Sequence, residues 1–308
     1  MPQGLIIRST GSWYDVRTEA KSVLQCRLRG KFKIAGFKVT NPIAVGDRVV
    51  YEIEDEAENR GIINEILPRE NYIIRQSVHK SMQGHLLATN LDQAVLLATL
   101  GSPRTSLGFI DRFLVVAESF RIPTVIVFNK TDLLNAEDLE LQEAIAFLYK
   151  KIGYESLFTS AETGLGMDAF KGLLKDKVTL MAGHSGVGKS TLLNTINPDL
   201  DLATNEISTF ANKGVHTTTF AEMFEIEENS FIIDSPGIKE LGLIDIESKE
   251  ISHYFPEMRA LLGNCKYNNC QHINEPKCAI KDAVETGEIS ESRFHSYLSM
   301  MEGGDNRK

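Results

Sequence analysis

Hydrophobic and polar positions alternate in two different ways along the chain. From residue 1 to about 70, short β-like runs at residues 4–8, 22–28, 47–53 and 61–66 are separated by polar turns that include Asn41-Pro42 and Val45-Gly46-Asp47. Short strands at this spacing predict a small β-barrel over residues 1–70, with a five-stranded OB-like barrel the first choice. After Pro68 and a polar connector at 79–85 the pattern changes. Apolar strands at 94–98, 123–128, 157–159, 178–181 and 231–233 alternate with helical spacing at 109–120 and 136–151. Near-continuous apolar strands separated by helices predict an α/β domain over residues 71–240, its sheet covered on both faces. Residues 241–308 read as a smaller, mostly helical unit, so the expectation is a multi-domain α/β protein.

Composition narrows the class. The 308 residues suit two or three domains, and 42% hydrophobic with 24% charged residues is the balance of a folded globular chain. No apolar run approaches the roughly 18–20 residues that span a bilayer, and the start carries no leader pattern. A soluble, cytoplasmic protein without membrane contact is expected. Four cysteines are too few for a disulfide scaffold, and three of them fall between 265 and 278, which suggests metal. The net charge of −9 argues against a general nucleic-acid-binding surface. Residues 1–40 differ: Arg8, Arg17, Lys21, Arg27, Arg29, Lys31, Lys33 and Lys38 face only Asp15 and Glu19, a net +6. With Trp13, Tyr14, Phe32 and Phe37, which look exposed, the barrel could dock on RNA through phosphates and stacked bases. The other reading is that the aromatics fill the barrel and the lysines solvate it.

Three motifs decide the chemistry of the middle domain. Gly183, His184, Ser185, Gly186, Val187, Gly188, Lys189 and Ser190 fit G-x-x-x-x-G-K-[ST] after a strand and before the helical run that opens at Thr191. The glycines let backbone N–H groups curl around phosphate oxygens, Lys189 neutralises the β- and γ-phosphates, and the Ser190 hydroxyl can ligate Mg²⁺. Asp234-Ser235-Pro236-Gly237 follows a strand, the place of a D-x-x-G element whose aspartate holds the Mg²⁺ shell and whose Gly237 N–H meets the γ-phosphate. Asn129-Lys130-Thr131-Asp132 also follows a strand. A carboxylate there accepts from guanine N1–H and N2–H₂, a donor pair that adenine lacks, so Asp132 favours GTP over ATP. Ser160-Ala161 can supply backbone N–H groups to guanine O6.

The order of these motifs is rotated relative to Ras-like GTPases, in which the P-loop comes first. Over essentially its whole length the sequence closely resembles the circularly permuted GTPases of the RsgA (YjeQ) type. That resemblance implies an OB-fold barrel, a permuted G domain, a zinc-binding C-terminal domain and late maturation of the small ribosomal subunit. It also implies GTP hydrolysis to GDP stimulated by that subunit, contact with its rRNA, and a monomer. Residues 213–219 resemble the family's G-x-H-T-T-T switch segment, so Thr217 or Thr218 would reach Mg²⁺. Ile238 stands where Ras-like enzymes carry a water-orienting glutamine. His216 is a candidate substitute that could position or deprotonate the nucleophile; alternatively it contacts RNA or nothing.

The remaining motif is Cys265-x₄-Cys270-x-His272-x₅-Cys278. Three thiolates and an imidazole supply a closed tetrahedral Zn²⁺ shell, which makes the site structural. The spacing is not that of a standard finger, and the resemblance is what assigns the ligands. His253 and His295 lie far from the cysteines, Cys26 is expected to pack in a barrel strand, and Lys266, Lys277 and Lys281 either contact rRNA or are solvated.

Overall fold

The structure is a computed structural model that describes residues 1–30, 41–76, 84–200, 202, 221–234 and 246–303. Five strands form the N-terminal barrel: β1 (Gln3–Ser9), β2 (Tyr14–Thr18), β3 (Val23–Leu28), β4 (Arg48–Asp55) and β5 (Arg60–Ile66). Their order is β1-β2-β3-β5-β4, and β4 pairs back onto β1 to close the wall. β3 and β5 run parallel while the other pairs are antiparallel, which is the Greek-key closure of an OB-like barrel. Alternate side chains point inward as the strand period requires, so Ile6, Tyr14, Val16, Leu24, Cys26, Val49 and Ile63 fill the interior.

Tyr14 follows the second of the two readings of the barrel aromatics, that of core packing. It is not an exposed stacking platform: its ring is buried and its hydroxyl donates to Asn41 Oδ1 at 2.7 Å. Trp13 remains 38% exposed, with the Arg60 guanidinium 5.8 Å from its ring centre. Phe32 and Phe37 lie outside the described residues, as do Lys31, Lys33 and Lys38. Much of the described positive charge at this end is already paired. Arg17 grips Glu225 with 2.7 and 2.9 Å bonds, Lys21 meets Glu228, and Arg27 meets Glu54.

A hairpin follows, β6 (Tyr72–Gln76) with β7 (Gly84–Thr89); of the polar connector predicted at 79–85, only Gly84 and His85 lie among the described residues, at the start of β7. Buried Asp47 ties this hairpin to the barrel by accepting from Arg69 Nε, from the Thr89 hydroxyl and from the Ala44 N–H. Next come β8 (Gln93–Ala98), α1 (Leu107–Ser119), β9 (Thr124–Phe128), α2 (Ala136–Lys151), β10 (Glu155–Phe158), α3 (Met167–Leu174), β11 (Val178–Ala182), α4 (Lys189–Ile196), β12 (Glu222–Glu227) and β13 (Ser230–Asp234). Their sheet order is β10-β9-β8-β11-β13-β12. The first five of these strands are parallel, and β12 is antiparallel to β13.

β8 shows why its sequence is a continuous apolar run: both of its faces are covered. Ala94, Leu96 and Ala98 pack with Phe113 and Leu114 of α1, whereas Val95 and Leu97 pack with Phe170 of α3 and Leu192 of α4. Each fully buried Leu or Phe of these layers contributes about 1.5–3 kcal/mol. β11 lies in the middle of the sheet, with neighbours on one side that precede it in the chain and on the other that come after it. The sheet also continues into the barrel, because β12 pairs with β1 at Arg8 and Glu222.

Beyond residue 246 a 3-10 turn (Ser248–Tyr254) and the helices α5 (Pro256–Arg259), α6 (Ala279–Glu285) and α7 (Glu291–Met301) form a separate small core, which packs on α1. The junction is ionic and dry. Arg293 on α7 is 1% exposed and donates to Asp111 on α1 at 2.8 Å and to both oxygens of Glu257 on α5 at 2.7 and 3.2 Å. Tyr149 of α2 donates to the same Asp111 oxygen at 2.7 Å. Burial, then the Asp111 charge, push the Tyr149 hydroxyl well above its ordinary range.

Arg293→Leu would leave Asp111 and Glu257 buried without their cation, so we expect it to lose about 3–5 kcal/mol in urea unfolding. Arg259 pairs with Glu118 in a half-exposed bridge at 3.0 Å, and Arg259→Ala should cost less than about 1 kcal/mol in the same measurement.

Candidate functional site

The candidate site lies at the C-terminal ends of the parallel strands, where an open α/β sheet reverses its strand order and leaves a crevice. β11 ends at Ala182, residues 183–188 turn, and α4 begins at Lys189. Glycine is required here for two reasons. Gly183 and Gly188 adopt φ of 150° and 98°, a region that L side chains rarely enter. A Cβ on Gly183 would also lie 2.7 Å from Leu97 O, and one on Gly188 would lie 2.4 Å from Asn129 Nδ2. Gly188 caps α4 without a side-chain bond, so the first N–H groups of this helix keep their donor capacity toward the loop's concave side. Lys189 Nζ lies over the loop, donating to Gly183 O at 2.8 Å and His184 O at 3.1 Å. Ser190 is buried beneath it, while Ser185, Gly186 and Thr191 face solvent. The His184 ring rests on Phe109 of α1, with centroids 3.9 Å apart.

One side chain binds the three loops together. Asn129, 3% exposed, donates through Nδ2 to Val187 O of the P-loop at 2.8 Å and accepts through Oδ1 from the Thr159 hydroxyl at 3.0 Å. Lys130 follows in left-handed backbone, and its ammonium reaches Ser102 O at 3.1 Å. The Thr131 N–H donates to Thr159 O, and Asp132 is exposed in the 3-10 turn Thr131–Leu133. The Ser160 N–H is already taken by Leu165 O at 3.0 Å, and its hydroxyl accepts from the Thr163 N–H. Ala161 comes next, half-buried. The sequence-predicted residues 129–132, 160–161 and 183–191 are therefore carried by the C-terminal ends of β9, β10 and β11, with β8 between β9 and β11. β13 places the backbone of Asp234 level with Met181 of β11. His216, Thr217, Thr218 and Gly237 lie outside the described residues. Thr159, Phe109 and Ser102 are invisible to motif reasoning because none belongs to a motif; each acts by holding a motif residue.

A second site lies in the C-terminal unit. The ligand atoms of Cys265, Cys270, His272 and Cys278 all fall within 4.8 Å of one another. His272 Nδ1 is 3.3 Å from Cys278 Sγ and 3.6 Å from Cys265 Sγ, and those two sulfurs are 3.9 Å apart. Sulfurs about 2.3 Å from one tetrahedral ion sit roughly 3.8 Å apart, so the set fits a thiophilic divalent metal. Burial pushes the Cys270 thiol up to about 12, raises that of Cys278 and lowers His272. A part-buried site that disfavours bare thiolates is one that a cation would stabilise. The Tyr297 hydroxyl closes the loop from α7 by donating to Gln271 O at 2.7 Å. His253 and His295 are exposed and stand outside the group.

The family model described as RsgA GTPase matches residues 66–244, more than half of the chain, and that of the RsgA N-terminal domain matches residues 3–63. The chain belongs to the RsgA GTPase family. A small ribosomal subunit biogenesis GTPase RsgA of Bacteroides fragilis is 50% identical over 306 residues, 99% of this chain and 98% of that protein. Its namesake in Cytophaga hutchinsonii is 51% identical over 299 residues, 97% of each chain. The crystal structure of YjeQ from Thermotoga maritima superposes with a TM-score of 0.79 at 36% identity, covering 98% of both chains. That of YloQ, described as a circularly permuted GTPase, gives 0.74 at 33% identity over 100% of this chain and 96% of that one. Permutation shows in the RsgA sheet as the place of the P-loop, which follows β11, the fourth of the strands β8 to β13 in chain order, and not the first.

Asn129→Ala removes both ties between loops and strands the Val187 carbonyl. A fluorescent guanine nucleotide titration should show binding weakened about tenfold or more. Metal analysis of the purified protein should find about one equivalent of a thiophilic divalent ion, lost in Cys278→Ser together with the protease resistance of residues 246–303.

Proposed function

We propose that this chain is a cytoplasmic, monomeric GTPase that binds the small ribosomal subunit, assists its late maturation and hydrolyses GTP to GDP and phosphate under stimulation by the subunit. The observation that carries this reading is the Asn129 junction: one buried amide joins a phosphate loop to a guanine-recognition loop on a permuted sheet. Relatives half identical over nearly the full chain bear the name small ribosomal subunit biogenesis GTPase. Among the described residues no helix is long and apolar enough to cross a membrane. We divide the chain into a barrel at 1–70, a GTPase domain at 71–240 and a zinc domain at 241–308.

The nucleotide roles derive from the chemistry of each group. Asp132 accepts from guanine N1–H and N2–H₂. The Ala161 N–H donates to O6, since that of Ser160 is engaged by Leu165. The N–H groups of residues 183–190 wrap the phosphates, and Lys189 exchanges its two loop carbonyls for phosphate oxygens. Mg²⁺ bound with GTP supplies charge neutralisation on the β- and γ-phosphates, held by Ser190, Asp234 and Thr217 or Thr218. Gly237 donates its N–H to the γ-phosphate, and His216 positions or deprotonates the attacking water. Cys265, Cys270, His272 and Cys278 hold one structural Zn²⁺. The barrel, through its basic side chains and exposed Trp13, contacts rRNA, and Lys266, Lys277 and Lys281 do so beside the zinc.

The test is GTP hydrolysis at physiological salt with and without purified small subunits, for wild type and His216→Ala in parallel. Strong stimulation of wild type, lost in the variant, is expected. Stimulation retained in His216→Ala removes that residue from the chemistry, and no stimulation of wild type overturns the ribosomal role. In nucleotide competition Asp132→Asn should lose its preference for GTP over ATP.

A further inference from the structure

The sheet ends at β10, which among the described residues pairs only with β9. The outward N–H and C=O groups of an edge strand are a template for another strand, and proteins commonly blunt such edges with lysine or proline. β10, Glu155-Ser156-Leu157-Phe158, carries neither; its length of four residues and the exposed Glu155 limit pairing to a short segment that tolerates or matches a negative charge. Beside it α2 exposes Phe147, 71% accessible on a helix whose other aromatic, Tyr149, is fully buried. A groove of about 310 Å³ runs between helix and strand, lined by Glu143, Phe147, Lys150, Glu155, Ser156 and Phe158. The Ser156 hydroxyl is buried there with no hydrogen-bond partner.

Charge selects the occupant. Glu137, Glu140 and Glu143 are exposed on α2 and Glu155 on β10, whereas Lys151 is turned to the Glu288 carbonyl, which leaves Lys150 as the cation at the groove. Glu143 and Glu155 against Lys150 leave the groove's lining net negative, which disfavours a phosphate backbone and favours a cationic peptide. We propose that this edge docks an extended, lysine- or arginine-rich protein segment, which adds a strand to β10 and seats an apolar side chain against Phe147. Resting on the ribosomal reading above, the segment belongs to a protein of the small subunit. The acidic edge would thus meet protein, at the opposite end of the eleven-stranded sheet from the basic barrel.

The experiment places a benzophenone photo-crosslinker at position 147 of the full-length protein, irradiates it with purified small subunits and identifies the product by mass spectrometry. A cross-link to a basic ribosomal protein segment is expected. A cross-link to rRNA, one between two copies of this chain, or none despite co-sedimentation would overturn the inference while leaving the ribosomal reading intact. If wild type itself neither co-sediments with subunits nor is stimulated by them, that reading fails and takes this one with it. In parallel, Phe147→Ala and the pair Glu143→Lys with Glu155→Lys should weaken co-sedimentation about tenfold and leave subunit-free GTP hydrolysis unchanged; undiminished co-sedimentation would count against the groove.

Discussion

A guanidinium buried as deeply as that of Arg293 persists only if carboxylates replace the water it has lost. Asp111 and Glu257 do so from two different parts of the chain, one on α1 of the GTPase domain and the other on α5 of the C-terminal unit. The ion cluster therefore fixes where the C-terminal unit, with its cysteine cluster, sits. It also reaches further, because α1 carries Phe109, whose ring supports His184 in the P-loop. His184 of the loop before α4 and the apolar core of the C-terminal unit thus both pack on α1, through Phe109 and Val115.

Membership of the GTPase family was legible because its motif residues must keep fixed spacings for backbone N–H groups and carboxylates to meet the same ligand. The apolar strands and the helix at 136–151 were legible from period alone. Other elements were not. β2 is five residues long and its inward face is Tyr14, Val16 and Thr18, so it offers too little apolar signal to stand out from a turn. β6 and β7 flank a polar stretch that dominates any window laid over them. Tyr14 looks like a surface aromatic because sequence does not reveal that Asn41 satisfies its hydroxyl. Asp111 sits within an apolar helical run, and the arginine that explains it lies 182 positions away. Partners so distant leave no local pattern.

Permutation alters the path of the chain after the D-x-x-G segment. In this order the chain leaves β13 at Asp234 and within a dozen residues joins the C-terminal unit, which Arg293 anchors to α1. A rearrangement at that segment cannot swing the C-terminal unit freely. It must carry α1 along, or first separate a buried charge from its partners, which costs several kcal/mol. Geometry thus favours coupled movement of α1 and the C-terminal unit over independent motion of either.

The barrel is attached in two places, one of them the buried Asp47 with its bonds from Arg69 and Thr89. Its seam with the rest of the sheet is a brief β1–β12 pairing reinforced by Arg17 with Glu225 and Lys21 with Glu228, pairs that lie at or near solvent. These two cations are also among the positive charges that give the N-terminal segment its polarity. A polyanion arriving at this surface must compete for them with the glutamates of β12 and its turn. Capturing such a ligand and loosening the barrel from the sheet are therefore two descriptions of one exchange of counterions, and added salt acts on both at once.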